Sequence, residues 1–175
     1  DDVFMASRFP MVNDGAVGSN PAASVAMMAR VAIETEQHLP YKAMLEERRG
    51  WHEMNTEGYI SYSAASIADG MACRAIVAYT RSGLTAERVS RCRPCTPILA
   101  IIADERVARR LLLSCGIFPC LQQPGRSADD LFAAAIRLGK ATGLAGPGDQ
   151  LVIIAGNFEG QQGRTNTLKV EEIPS

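Results

Sequence analysis

The sequence has little of what catalytic centres are usually built from. Two histidines, one tryptophan and five cysteines in 175 residues leave few side chains for proton transfer or nucleophilic attack. Neither sign of charge dominates: 18 Lys+Arg stand against 19 Asp+Glu, a formal net charge of −1. That balance excludes a polyanion-binding surface spread over the whole chain, so nucleic acid is not expected as a partner, while one local anion site remains open. Long apolar runs are missing too. The longest, Ile98-Leu-Ala-Ile-Ile-Ala103, is far short of the roughly 18 residues a membrane helix needs, and no membrane partner is expected. The cysteines are odd in number and loosely spaced, which suits a reducing compartment, and the cytoplasm is the expected location. Asp1-Asp2 shows neither an initiator Met nor a basic-then-apolar leader, so the chain reads as part of a longer protein.

What is present is an ordinary globular composition. With 47% hydrophobic and 21% charged residues and 15 glycines, the chain can bury one core and carry an appended arm. Pro21 stands in the first turn of a predicted helix whose apolar stripe is Val25, Met28, Ala29, Ala32 and Ile33, capped by Ser19 or Asn20. Pro40 ends it, and a second helical piece runs from Tyr41 to about Arg49. Residues 50–61 are polar and irregular and read as a linker, which puts a boundary between an N-terminal arm (1–58) and a domain (59–175). Helices and strands then alternate. Helices are predicted near 62–73, 85–91, 105–114 and 128–142, and strands over 75–79, 98–103, 117–121, 151–155 and 167–173. This order predicts an α/β fold, a parallel sheet with helices on both faces, its last two strands joined by a loop and so antiparallel.

Three features carry possible chemistry. Thr80-Arg-Ser-Gly-Leu-Thr85 follows a buried strand and opens a helix, where free amides and the helix dipole converge. Gly83 permits close approach, Thr80, Ser82 and Thr85 bring hydroxyls, and Arg81 brings a cation. The pattern fits a phosphate cradle and equally fits plain helix capping. The glycine-rich segment Gly156–Arg164 would face the same crevice if the first and fourth strands are neighbours, and fits equally a floppy hairpin connection. The third is Cys92-Arg-Pro-Cys95. It lies at a helix C-terminus, where the dipole disfavours a redox thiolate. With Cys115 and Cys120 it forms a loose zinc-ribbon-like spacing, against which stands the common use of free Cys as a small core residue. His38 and His52 have no evident nucleophile beside them. Asp104-Glu105 and Asp129-Asp130 read as helix-start carboxylates. No catalytic residue and no metal ligand is assigned.

The run Ala75-Ile-Val-Ala-Tyr-Thr-Arg-Ser-Gly-Leu-Thr-Ala86, with Val89-Ser-Arg-Cys-Arg-Pro94, Pro97-Ile98, Gly139-Lys140, Gly148-Asp149 and Gly163-Arg-Thr-Asn-Thr-Leu-Lys-Val170, resembles the C-terminal domain of pyruvate kinases. The resemblance runs from about Ser63 to Ile173. Pro21–Arg30 is similar to the last helix of that family's catalytic barrel, and Val3–Ser7 to its last strand, both more weakly. The resemblance implies a three-layer α/β/α sandwich with a mostly parallel five-stranded sheet and an antiparallel last strand. It implies a phosphorylated allosteric effector held by Thr80, Arg81, Ser82, Gly83 and Thr85 under a lid containing Gly160, Gly163 and Arg164. It also implies a homo-oligomer contacted partly through the last strand. Where animal enzymes grip the second phosphate of fructose 1,6-bisphosphate with basic residues, this chain has Leu131 and Phe158-Glu159. A sugar monophosphate or AMP is therefore the expected effector. The family's catalytic barrel, with its Mg²⁺ and K⁺ sites, is not in this chain, which should be inactive alone and would partner that barrel in its parent enzyme. Two alternatives stand beside this one: a stand-alone phospho-ligand-binding or assembly module without kinase activity, and a zinc-stapled domain.

Overall fold

A computed structural model describes residues 21–50, 55–123, 125, 127–156 and 165–174. The chain divides into two compact units, 1–40 and 41–175. In the first, helix α1 (Pro21–Glu36) has no buried residue, and Val25 and Ile33 are more than half exposed. His38 beyond it lies 3.4 Å from Glu34. The expectations for residues 1–20, and for His52 within 51–54, lie outside the described residues.

The second unit begins with α2 (Tyr41–Glu47) and a 3-10 turn (Arg48–Gly50). Next comes α3 (Thr56–Gly70), whose first six residues the sequence reading had assigned to a linker. The reason is a cap: the Asn55 side chain accepts from the Gly58 amide, and Glu57 sits in the first turn where the dipole favours it. Polar residues that look like a linker are here a helix start.

The strands are β1 (Ala75–Tyr79), β2 (Ile98–Ile102), β3 (Ile117–Leu121), β4 (Gln150–Gly156) and β5 (Thr165–Glu172). They form a five-stranded sheet in the order β3-β2-β1-β4-β5. All neighbours are parallel except β4 and β5, which pair antiparallel. Every side chain of β1 and β2 is buried. That explains their unbroken apolar spelling, since strands covered on both faces have no polar side to show. The intervening helices are α4 (Leu84–Arg91), α5 (Glu105–Leu111) and α6 (Ala128–Ala141).

Alternate residues of each strand feed two cores. Ile76, Ala78, Ile98, Ala100 and Ile154 pack with α3, α4 and α5, whereas Val77, Leu99, Ile101 and Ile153 pack with α6. The sheet is thus sandwiched, three helices on one face and one on the other. A capping box between Ser127 and Asp130 starts α6. Further along, an added Cβ at Gly139 would stand 3.2 Å from Leu151 Cδ1, so a small residue is what lets α6 lie close on β4. β5 starts two residues before its predicted position, and its register with β4 shifts at Ala155/Gly156, so Asn166 is an extra residue there.

Tyr79, at the end of β1, reaches across to α6 and donates its hydroxyl to the Leu131 carbonyl at 2.7 Å, a buried bond. Burial pushes the phenol well above its ordinary titration range, so it stays a donor. Tyr79→Phe keeps the ring and removes the donor. It should lower unfolding stability by about 1 kcal/mol with an unchanged denaturant slope, read from urea melts.

Candidate functional site

The strand order reverses at β1. The chain leaves β1 toward β2, and after β3 returns to the other flank of β1 as β4. In open α/β sheets the crevice at such a reversal, outside the carboxyl ends of the strands, is where ligands bind. The loop Thr80–Gly83 lies at that end of β1. β4 ends, at Gly156, on the same side, because β1 and β4 are parallel neighbours.

Within the loop, Gly83 has φ +89° and precedes α4 without a side-chain cap. It is buried, and a Cβ there would meet Arg110 Nη2 at 3.0 Å and Leu111 and Val107 side-chain carbons at 3.1 Å. Sign of φ and lack of space both demand glycine. The Thr80 hydroxyl oxygen accepts from the Gly83 amide at 2.9 Å, and Ser82 Oγ accepts, at a long 3.5 Å, from Leu84. These are capping bonds, yet an accepting hydroxyl keeps its own proton to donate. The first intrahelical bond is Glu87 N to Gly83 O. The amides of Thr85 and Ala86 therefore belong to the donors that a helix start leaves over.

Thr85 is buried, and its Oγ1 lies 2.7 Å from Oγ1 of Thr165, also buried. One of the two donates, so the pair as a whole retains one unspent proton. Thr165 is the first residue of β5, immediately after segment 157–164. This contact ties the start of β5 to the first turn of α4. Arg81 and Ser82 are exposed. Of the residues the sequence singled out, Thr80, Arg81, Ser82, Gly83 and Thr85 stand together. Gly160, Gly163 and Arg164, with Phe158 and Glu159, lie outside the described residues.

Two groups at this loop escaped sequence reasoning. Arg110 of α5 donates through Nη2 to the Ser82 carbonyl at 2.5 Å, and the same nitrogen is 3.2 Å from Glu87 Oε1. Thr165 is the other. The contacts span 28 and 80 residues, and no local pattern announces either.

The cysteine motif resolves differently. Cys92 is the C-cap of α4 and is buried against Leu45 and Ala65, with Cys95 exposed and Cys120 in β3. Among the described residues no three His, Cys, Asp or Glu side chains are placed to hold a metal ion. All four cysteines of the zinc-like spacing are described, and no three of them converge on one point. Asp104 caps α5 by accepting from the Arg106 amide, and Asp130 belongs to the α6 box, both as helix-start carboxylates.

Gly83→Ala should lower stability by about 1–2 kcal/mol, the cost of a left-handed residue with a Cβ, plus whatever the crowding at Arg110 adds; denaturant melts read this. Burial raises the Cys92 thiol to about 11. It should therefore be alkylated by iodoacetamide at pH 8 far more slowly than exposed Cys95, as peptide mass spectrometry would show. Because the folded value lies above the unfolded one, the stability Cys92 contributes is intact below about pH 9 and lost toward pH 11. Cys92→Ala should flatten that alkaline decline.

The sequence matches the family described as "Pyruvate kinase, alpha/beta domain" over residues 59–171. Among curated relatives, pyruvate kinase of Clostridium acetobutylicum is 34% identical over 160 residues, which cover 91% of this chain and 34% of that protein. A pyruvate kinase of Agrobacterium vitis is 36% identical over 158 residues, 90% of this chain and 33% of its own. The chain thus spans about a third of the length of the relatives it matches. A crystal structure of a pyruvate kinase from Cryptosporidium parvum shares the fold with TM-score 0.77 at 24% identity, covering 90% of this chain and 31% of that one. The chain belongs to the pyruvate kinase family, of which it carries the C-terminal α/β domain.

Proposed function

We propose that this domain is the regulatory part of a pyruvate kinase and binds a phosphorylated small-molecule effector in the crevice between β1 and β4. The parent enzyme would transfer phosphate from phosphoenolpyruvate to ADP in the cytoplasm, as a step of glycolysis. Its chemistry, with Mg²⁺ and K⁺, would reside in the barrel that this domain partners. In this reading Thr80, Arg81, Ser82, Gly83 and Thr85 hold the phosphate, and Gly160, Gly163 and Arg164 cover it.

One observation carries the reading: Thr85 and Thr165 meet at 2.7 Å. That contact brings the hydroxyl-rich turn and the first residue of β5 to a single spot at the strand-order reversal. A capped helix would need only the Thr80 and Ser82 bonds. Leu131 supports a ligand with a single phosphate, because it is 1% exposed and brings no charge from α6. A sugar monophosphate or AMP fits that better than fructose 1,6-bisphosphate.

Oligomer contacts through β5 complete the proposal. Among the strands, β3 and β5 form the two edges. Pro119 in β3 has no N–H at all, whereas every residue of β5 has one and about every second of them points away from β4. β5 is the edge better equipped to pair with another copy.

The test is a panel of ribose 5-phosphate, glucose 6-phosphate, AMP, fructose 1,6-bisphosphate and inorganic phosphate, followed by thermal unfolding. A ligand at about 100 times its Kd should stabilise the protein by about 2.7 kcal/mol. Ser82→Ala with Thr85→Ala should weaken the responding ligand by about tenfold per hydroxyl. Thr85→Ser, which keeps the oxygen, should restore most of its share. Thr85→Ala also orphans the Thr165 hydroxyl, so a stability loss of about 1 kcal/mol accompanies it. If no phosphorylated compound moves the midpoint, the loop is a helix cap and the effector reading falls.

A further inference from the structure

We propose that β5 pairs antiparallel with β5 of a second copy about a two-fold axis at Val170, and that Lys169 and Glu171 select this register by facing the partner's Glu171 and the partner's Lys169. The inference rests on the reading of β5 as an oligomer contact and adds to it the register and the residues that set it.

The direction of the free peptide groups follows from the ladder between β4 and β5. Just beyond β5 the Ile173 amide donates to Asp149 O at 2.8 Å, and the Ile173 carbonyl accepts from the Gly148 amide at 2.9 Å. Ile173 therefore turns its peptide groups toward β4. Gln150, opposite Glu172, sends its carbonyl the other way, to the Arg74 amide ahead of β1. Gln150 and Glu172 are thus a pair that shares no ladder bond. Both observations fix the same alternation, and the register runs without a shift from Gln150↔Glu172 to Ala155↔Thr167. Thr167, Lys169 and Glu171 spend their peptide groups on β4, whereas Leu168, Val170 and Glu172 direct theirs outward, to the open edge.

Side chains supply the choice among registers. Leu168 and Val170 pack against the core under α3, α4 and α5. Lys169 and Glu171 lie on the other face, where Lys169 Nζ is 2.7 Å from Glu171 Oε2 and 4.1 Å from the centre of the Phe132 ring of α6. Their side chains are 42% and 27% exposed, so charge pairing here is less screened than on an open surface. A lone lysine on an edge guards it against a passing strand. A lysine with a glutamate two residues on does the reverse under two-fold symmetry. With the axis at Val170, Lys169 stands opposite the partner's Glu171, and Glu171 opposite the partner's Lys169. Both are pairs without hydrogen bonds between them, whose side chains approach most closely. Four charges then alternate around a square, and the pair within each strand is kept. The outward peptide groups of Leu168, Val170 and Glu172 meet those of the partner's Glu172, the partner's Val170 and the partner's Leu168. Axes at Lys169, Glu171 or Glu172 would set a charged residue against its own copy. Axes at Thr167 or Leu168 would set Lys169 against a threonine.

Sedimentation velocity over a concentration series, on the protein carrying this chain, reads the association. Lys169→Glu and Glu171→Lys each turn both cross-axis pairs into like charges. Either should raise the dissociation constant of the assembly by about ten- to a hundredfold. Mixed in equal amounts, the two variants should regain most of the association, because an acidic strand then faces a basic one. That rescue separates the contact across the axis from the pair within one strand, which mixing cannot mend. Val170→Pro removes an outward N–H at a position where an edge strand tolerates proline, and should abolish the association with an unchanged circular dichroism spectrum. The charge variants keep the register testable where Val170→Pro disturbs the strand. Three results overturn the register: single variants that associate normally, a mixture as weak as its components, or a Lys169→Gln variant that associates more tightly, as removal of a guard would. If Val170→Pro still breaks the assembly, the β5 contact itself stands. If the unmodified protein stays monomeric, or its assembly ignores Val170→Pro, the contact falls and the register with it.

Discussion

β1 is a five-residue strand with no exposed side chain, held between two parallel neighbours. Ala75, Val77 and Tyr79 face the α6 core, and Ile76 and Ala78 face the core under α3, α4 and α5. A strand buried on both faces and both flanks cannot slip by one residue without turning each core inside out. The position of the turn that follows is therefore set by the whole sheet. Thr80 itself is tied in by its amide, which donates to Ile101 O of β2. The loop is a short structure mounted on a fully buried central strand, an arrangement that pre-organises donors.

The same economy appears in the hydroxyls. Thr80 and Ser82 each make an intramolecular contact that a helix start would need in any case, and Thr85 instead meets Thr165 of β5. None has thereby spent its capacity, because accepting a bond leaves the hydroxyl proton free and a Thr–Thr pair uses one proton of two. Capping and the proposed anion binding would use one set of atoms. This is why the sequence pattern alone does not separate them.

Much of the architecture was legible in the residues. Unbroken apolar runs at 75–79 and 98–102 spell strands covered on both faces, and the missing helix between the last two strands spells their antiparallel pairing. The beginning of α3 was not legible, because Asn55-Thr-Glu-Gly58 has the composition of a loop and the capping chemistry of a helix start. The beginning of β5 was obscured by the shift at Ala155/Gly156, which inserts Asn166 and breaks the alternation. Five loop residues of the site could be named because glycine, hydroxyls and a cation cluster in six consecutive positions. Arg110 could not, since α5 also carries Arg106 and Arg109 and only the folded chain shows which arginine meets Ser82. Arg109 turns to Glu105 on its own helix instead.

Charge at this edge of the sheet is one-sided. α6 begins near the same end as the loop, since the Tyr79 hydroxyl reaches its first turn at Leu131. That start is committed elsewhere: Asp129 and Asp130 lie in the first turn, Asp130 closes the capping box with Ser127, and Leu131 is buried. Two carboxylates and an apolar side chain repel a phosphate or ignore it. The loop side offers the opposite, with Arg81 in the turn and Arg110 against its back. Among the described residues the α4–α5 side thus carries Arg81 and the Arg110–Glu87 pair, and the first turn of α6 carries Asp129 and Asp130. A ligand with one phosphate and a neutral or hydrogen-bonding body can set its anionic end against the loop and its uncharged end toward α6. A ligand with phosphates at both ends would have to bring one of them against Asp129 and Asp130. On the proposed reading, the arrangement that would favour one anion at the loop would disfavour a second beside α6.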